Sequence, residues 1–409
     1  MELTRTWIDD ADDPAMVRVC GRVKYDDRAG DGETHWIDLP REYADDITTT
    51  ANPWAVALLP LATTLGQPLA LCGPVDPTLL ANLRHLLRIW HCWYPQLSVI
   101  PILADTEAGT VSDTQGRTVT FFSGGVDSFF TLIRDRSESG EPPVDDVLSV
   151  WGLDIPLGNP EAFRRMRSLV QRVADASGKG VVTAATNRTQ TRAEVARWGK
   201  LAHACGLVSV PLMLERRWSR ILIASSYGYA HLFPWGSHPV TDPLLSTSRT
   251  RVVHDGAELN RVEKTRVVAQ SPIAQHSLRV CWRSRSDSNC GACEKCYRTM
   301  TTLWLLGLLE KFSSFRVEAF RPELIGRIFC RNEGPILFML ENRELAIANG
   351  RGDVRRSIDR SLARSRRLTR IQSIFSRVKT TIKPYPMLYR PVVWLLDRIE
   401  WQLLRNVIA

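Results

Sequence analysis

The chain has 409 residues, 44% of them hydrophobic, with 53 Lys and Arg against 44 Asp and Glu for a net charge of +9. That length suggests two or three domains, and the apolar content supports a large core. The opening ten residues are acidic with no apolar centre, so no signal peptide is expected, and the longest apolar runs, Leu303–Leu309 and Pro391–Leu396, are too short to span a bilayer. A reducing, cytoplasmic location is expected, which favours metal binding over disulfides for the cysteines.

The basic charge is concentrated at one end. Residues 351–409 hold fourteen Lys and Arg against four Asp and Glu, a net +10, so the preceding 350 residues sum to about −1. Three regions are read along the chain: an α+β domain over 1–115, a central α/β domain over 116–312, and a basic helical extension over 313–409.

In the first region, Ala51–Leu65 and Leu79–Trp93 carry apolar residues at helical spacing, while Pro68–Cys72 and Leu97–Leu103 read as strands. A polar stretch, Ala104–Arg117, leads into the second region. There, strands are predicted at Thr118–Phe122, Val147–Leu153, Gly180–Ala185, Arg220–Ala224 and Thr250–His254. Helices are predicted at Ser128–Arg136, Pro160–Ser177, Ala193–Cys205 and Glu258–Ala269. This alternation implies a parallel sheet covered on both faces, with ligands outside the carboxyl ends of its strands.

The first of these strands runs into Ser123-Gly124-Gly125-Val126-Asp127-Ser128. Two glycines let the backbone turn sharply and bring its N–H groups close to an anion. The following helix aims its positive end at the same point. Ser123 and Ser128 add hydroxyl donors, and Asp127 can cap the helix. No G-x-x-x-x-G-K-[ST] sequence occurs, so a phosphate site here is not of the Walker type.

Further on, Cys281, Cys290, Cys293 and Cys296 form a C-x8-C-x2-C-x2-C series with Gly291 at the knuckle. Four thiolates so spaced fit a closed tetrahedral zinc site, with an iron–sulfur cluster as the alternative. Cys20, Cys72, Cys92, Cys205 and Cys330 are scattered among apolar residues and read as small buried hydrophobes.

The strand, SGGVDS loop and helix resemble the signature of the PP-loop ATP pyrophosphatases. Together with Cys281-Trp282 and the Cys290–Arg298 run, they are similar to the 7-cyano-7-deazaguanine synthase family, QueC, over roughly residues 117–310. The segment Asn260-Arg261-Val262-Glu263-Lys264 resembles the basic segment preceding the zinc site in that family. The resemblance implies a PP-loop, HUP-like adenine nucleotide alpha hydrolase core that binds ATP, Mg²⁺ and Zn²⁺. It implies that Ser123, Gly124, Gly125, Val126, Asp127 and Ser128 hold the nucleotide, that Asp127 lies near the metal–phosphate cluster, and that Asp154 and Thr186 lie near adenine. Ser123, Asp127, Ser128 and Arg261 are the expected catalytic residues, Arg261 being favoured over Lys264 for charge on departing pyrophosphate.

The sequence departs from the family in two places. QueC carries an aromatic-Gly-Gln-Arg segment where this chain has Trp151-Gly152-Leu153-Asp154-Ile155-Pro156. Its Tyr-Pro-Asp-Cys-Arg-like segment corresponds to Phe233-Pro234-Trp235-Gly236-Ser237-His238-Pro239. The expected activity is therefore adenylation of a carboxyl or related carbonyl group for attack by an amine or ammonia. The substrate would be a deazapurine-like or carboxyl compound, or, as in the QatC-type branch of antiphage defence, a protein or nucleic acid. The alternative is tRNA thiolation or nucleic-acid binding, for which Cys205 is the nearest candidate thiol.

The aromatic loop from Tyr227 to Ser246 either stacks a planar substrate or packs on itself. In the basic extension, Asp353–Lys383 and Val392–Val407 read as amphipathic helices separated by Pro384, Pro386 and Pro391. They fit docking of a protein partner, nucleic acid or a membrane surface, or a solvated face packed on the body.

Overall fold

The computed structural model describes residues 1–107, 116–137, 140–281, 288–405 and 407–408, without the side chains of 386–388. The Ala104–Arg117 linker falls largely outside this set, as does Trp282. Two compact units are present, Met1–Leu259 and a second from Asn260 onward.

The first unit is α/β. Its elements are β1 (Glu2–Asp10), β2 (Met16–Lys24), β3 (Glu33–Pro40), α1 (Asn52–Leu65), β4 (Leu69–Leu71), α2 (Pro77–Trp93) and β5 (Ile102–Leu103). Then come β6 (Arg117–Phe121), α3 (Val126–Ile133), β7 (Asp146–Trp151), α4 (Pro160–Ser177), β8 (Gly180–Thr186), α5 (His203–Leu212), β9 (Trp218–Ala224) and β10 (Arg251–Asp255). All ten strands form one mostly parallel sheet in the order β10-β9-β6-β7-β8-β3-β2-β1-β4-β5.

The five parallel strands β6 to β10 therefore run 3-2-1-4-5 in their own numbering. Chain direction across the sheet reverses between β6 and β9, which pair through Val119 and Ile221. The helix sequences explain themselves locally. In α4, Asn159 accepts the Ala162 N–H, Pro160 opens the helix, and Gly178 closes it at φ 65°. Its buried Ala162, Met166, Leu169, Val170, Val173 and Ala174 form one stripe.

Residues 1–107 are built onto the same sheet. Antiparallel β1, β2 and β3 attach at β8, where Ile37 pairs with Thr186. The Asn187 side chain extends this pairing: its Oδ1 accepts the Trp36 N–H at 2.9 Å and its Nδ2 donates to the Thr34 carbonyl at 2.9 Å. The compact units thus divide near 259/260, while the three regions read from the sequence divide at 115/116 and 312/313.

The second unit is helical: α6 (Arg261–Val268), α7 (Pro272–Ser277), α8 (Glu294–Leu305), α9 (Glu333–Ala348), α10 (Gly352–Ile382) and α11 (Pro386–Leu404). The first half of α10 belongs to its core. Val354, Ile358, Leu362 and Leu368 are buried, Ser361 Oγ donates to the Ile328 carbonyl at 2.6 Å, and Ser365 Oγ accepts the Cys330 N–H at 2.9 Å. Helix α11 begins six residues before the predicted Val392, because Pro386 occupies its first turn, where a missing N–H costs nothing, and Pro391 is accommodated within it. No helix among the described residues is long and apolar enough to cross a membrane.

Candidate functional site

The loop Ser123–Ser128 leaves β6 at its carboxyl end, beside the β6/β9 reversal. In doubly wound sheets that is where ligands bind. Gly124 sits at φ 75°, in the left-handed region that penalises any side chain. Gly125, extended at φ −77° and ψ 166°, is the N-cap of α3. Ser123 is exposed, Asp127 half-buried, and Gly124, Val126 and Ser128 buried. Ser128 Oγ donates to the Gly125 carbonyl at 3.0 Å, so this hydroxyl braces the turn. Helix α3 starts at this loop with its first-turn N–H groups outside the helical ladder, an arrangement that can receive an anion without a Walker lysine.

Helix α3 is fixed at its other end by Asp255, the last residue of β10, which is 2% exposed. Its carboxylate accepts Thr131 Oγ1 at 2.7 Å and pairs with Arg134 at 2.8 Å and Arg136 at 3.1 Å. Asp255 follows the predicted strand Thr250–His254, at the carboxyl end of the sheet where ligands are expected. Its described partners show an anchor for the helix, and the signal was the Arg134-Asp135-Arg136 run just past α3.

Asp154 is exposed in the turn after β7. Thr186 is buried, and its hydroxyl donates to the Trp36 carbonyl at 3.0 Å, so its side chain is committed to β3. The turns after β7 and β8 interlock. A Cβ on Gly152, at φ 94°, would meet the Thr186 carbonyl oxygen at 2.0 Å, and Thr189 Oγ1 donates to the Gly152 carbonyl at 2.9 Å.

The aromatic loop packs on itself. Tyr227, Phe233 and Trp235 form a cluster with ring separations of 4.6, 5.9 and 6.3 Å. Buried Asp242 organises the rest, accepting Ser237 Oγ at 2.6 Å and the His238 N–H at 2.9 Å, and lying 2.7 Å from His254 Nδ1. Burial lowers the pKa of His238. Cys205 is buried at 1% exposure within α5, and burial pushes its thiol up.

In the second unit, Asn260 and Glu263 form a capping box at the start of α6, with bonds of 3.0 and 2.8 Å. The Arg261 N–H donates to Glu341 at 2.9 Å and its guanidinium lies 4.5 Å from the Phe338 ring centre, both on α9. Lys264, passed over in favour of Arg261, is the buried cation of α6 at 1% exposure.

The four cysteines come together as expected. The sulfurs of Cys281, Cys290, Cys293 and Cys296 all lie within 4.8 Å of one another. Cys281 and Cys293 are 3.8 Å apart, and Cys290 and Cys296 3.9 Å. A tetrahedron with metal–sulfur bonds of about 2.3 Å has edges of about 3.8 Å, so the cluster is compatible with zinc. Gly291 turns at φ 67°. The Ala292 and Cys293 N–H groups reach Cys290 Sγ at 3.4 and 3.3 Å, and the Cys296 N–H reaches Cys293 Sγ at 3.4 Å, donors that suit metal-bound sulfur.

The chain matches no protein-family model, no curated protein and no solved structure.

Proposed function

We propose that this chain is an ATP-dependent adenylating enzyme of the PP-loop class, similar to QueC. It would split ATP into AMP and pyrophosphate and activate a carboxyl or related carbonyl group for attack by an amine or ammonia. The observation that carries the reading is the SGGVDS loop at the carboxyl end of the first parallel strand. There a left-handed Gly124 and the start of α3 face the point where chain direction reverses.

The Gly124 and Gly125 backbone and the α3 amino end would receive the β- and γ-phosphates, while Ser123 orients a phosphate oxygen. Asp127 would hold Mg²⁺, which supplies charge neutralisation for pyrophosphate as it leaves. The four-cysteine cluster would hold zinc in a closed, structural role. The substrate would be a deazapurine-like or carboxyl compound, or a protein or nucleic acid as in the QatC-type branch. Burial of Cys205 weighs against the thiolation alternative, for which it was the nearest thiol.

The test is incubation with α-labelled ATP and 7-carboxy-7-deazaguanine, followed by mass spectrometry of products and of the protein. AMP with pyrophosphate is expected, lost in Asp127→Ala and in Ser123→Ala. ADP as the sole product would overturn the assignment.

A further inference from the structure

Helix α11 leaves an unusual set of side chains in water. Trp394 is 61% exposed, Trp401 64%, Leu395 51%, Leu403 40% and Ile399 36%. At 3.6 residues per turn, Trp394, Arg398, Trp401 and Arg405 fall on one stripe, with Leu395 and Ile399 on the row beside it. The Arg398 guanidinium lies 5.3 Å from the Trp394 ring centre.

Charge on this helix is sorted by face. Both acids of α11 turn toward α10: Asp397 accepts from Lys379 Nζ at 2.6 Å and Glu400 from Gln372 Nε2 at 2.7 Å. The half-buried Leu396 and Leu404 lie on the same side as Glu400. The outer face is thus apolar and cationic, with Asp397 at its edge turned to Lys379. On α10, Gln372, Phe375, Ser376 and Lys379 line the groove against α11, while the exposed Arg366, Arg370 and Arg377 lie on its far side, in a groove with residues 331–336. Tyr385, between the two helices, is 61% exposed.

One occupant must accept both kinds of group. A nucleic acid would neutralise the arginines and stack on the tryptophans, but it leaves Leu395, Ile399 and Leu403 in water. A second copy docked about a two-fold axis would set arginine against arginine. An anionic lipid surface takes aliphatic and tryptophan side chains at the acyl boundary and pairs arginine with phosphate. Asp397, Arg398 and Glu400 interrupt the helix centre, so it suits lying in the interface and not crossing it.

We propose that α11, with Arg398 and Arg405 beside its exposed tryptophans, is a peripheral anchor for anionic phospholipid membranes. The hairpin is held at its far end, where the Phe329 N–H donates to the Ile408 carbonyl and the Ile408 N–H to the Arg327 carbonyl, both at 2.8 Å. This presents the outer face of α11 from a fixed base, independently of the chemistry of the glycine loop.

The test is co-sedimentation of the full chain with vesicles of phosphatidylcholine alone or mixed equally with phosphatidylglycerol. Binding to the mixed vesicles is expected, weakened by salt, with affinity for phosphatidylcholine alone lower on the order of tenfold or more. The double variant W394A/W401A and the double variant R398E/R405E should each lose on the order of tenfold in vesicle binding. Melting temperature should hold, since these side chains are exposed. Three results would overturn the proposal. One is no preference for phosphatidylglycerol. Another is tighter binding to single-stranded RNA that the tryptophan variant retains. The third is a dimer in light scattering that W394A/W401A dissociates while vesicles stay unbound.

Discussion

Thr131 Oγ1 donates a 2.7 Å hydrogen bond to Asp255 Oδ2, tying the helix that starts at the glycine loop to the last strand of the sheet. Both residues are buried, and the same carboxylate meets Arg134 and Arg136. Asp255→Asn keeps the shape and removes the charge, leaving two arginines without their shared counter-ion. Removing one partner of a buried ion pair costs roughly 3–5 kcal/mol. Thr131→Val removes only the hydroxyl and should cost roughly 1 kcal/mol. Urea unfolding of the two variants gives the ordering, and equal losses would show that the arginines do not depend on Asp255.

Gly124 is the position in the loop at which a side chain is penalised by the backbone itself. Gly124→Ala places a Cβ at φ 75°, a strain of roughly 1–2 kcal/mol that the loop can relieve by moving. Moving it displaces the N–H groups proposed to receive the phosphates, so AMP formation should fall on the order of tenfold or more. Melting temperature should change by only a few degrees. Unchanged AMP formation would separate the glycine loop from the chemistry.

The parallel strands were legible because β7 and β9 are buried apolar runs and α4 carries caps at both ends. The four cysteines were legible because their spacing is itself the geometry of the site. The aromatic loop could not be decided in advance, since Tyr227, Phe233 and Trp235 offer the same surface to a substrate or to one another. The first three strands were not read as strands, although Val17, Val19 and Val23 of β2 alternate inward. The polar, mostly exposed β1 hid the meander they belong to. The attachment of β3 to β8 had no local signal. It depends on Thr186 and Asn187, 150 residues away in sequence from Trp36.

Metal removal tests the cysteine cluster. Elemental analysis should find about one zinc per chain, as a closed four-thiolate site requires. Cys296→Ser should lower the melting temperature and release the metal, because binding contributes to folding free energy. Chelator treatment of the unmodified protein should reproduce that loss of stability. A brown protein containing iron and sulfide would replace zinc with a cluster.

Glu33 gives the first unit an acid-sensitive joint. Its carboxylate lies 3.3 Å from His35 Nε2 and accepts Tyr25 Oη at 2.7 Å and the Arg192 N–H at 2.9 Å. The His35 contact leads the causes that lower its pKa from 4.5 to about 2. The ionised form is thus favoured by folding. Its contribution is fully present above the unfolded value near 4.5 and is lost as pH falls through about 2. Glu33→Gln should therefore be less stable than the parent at neutral pH, with the gap closing across that acid window. Denaturant unfolding of both proteins at several pH values follows the gap directly. A difference that stays constant down to the acid end would mean that the side chain acts through packing, with its charge irrelevant.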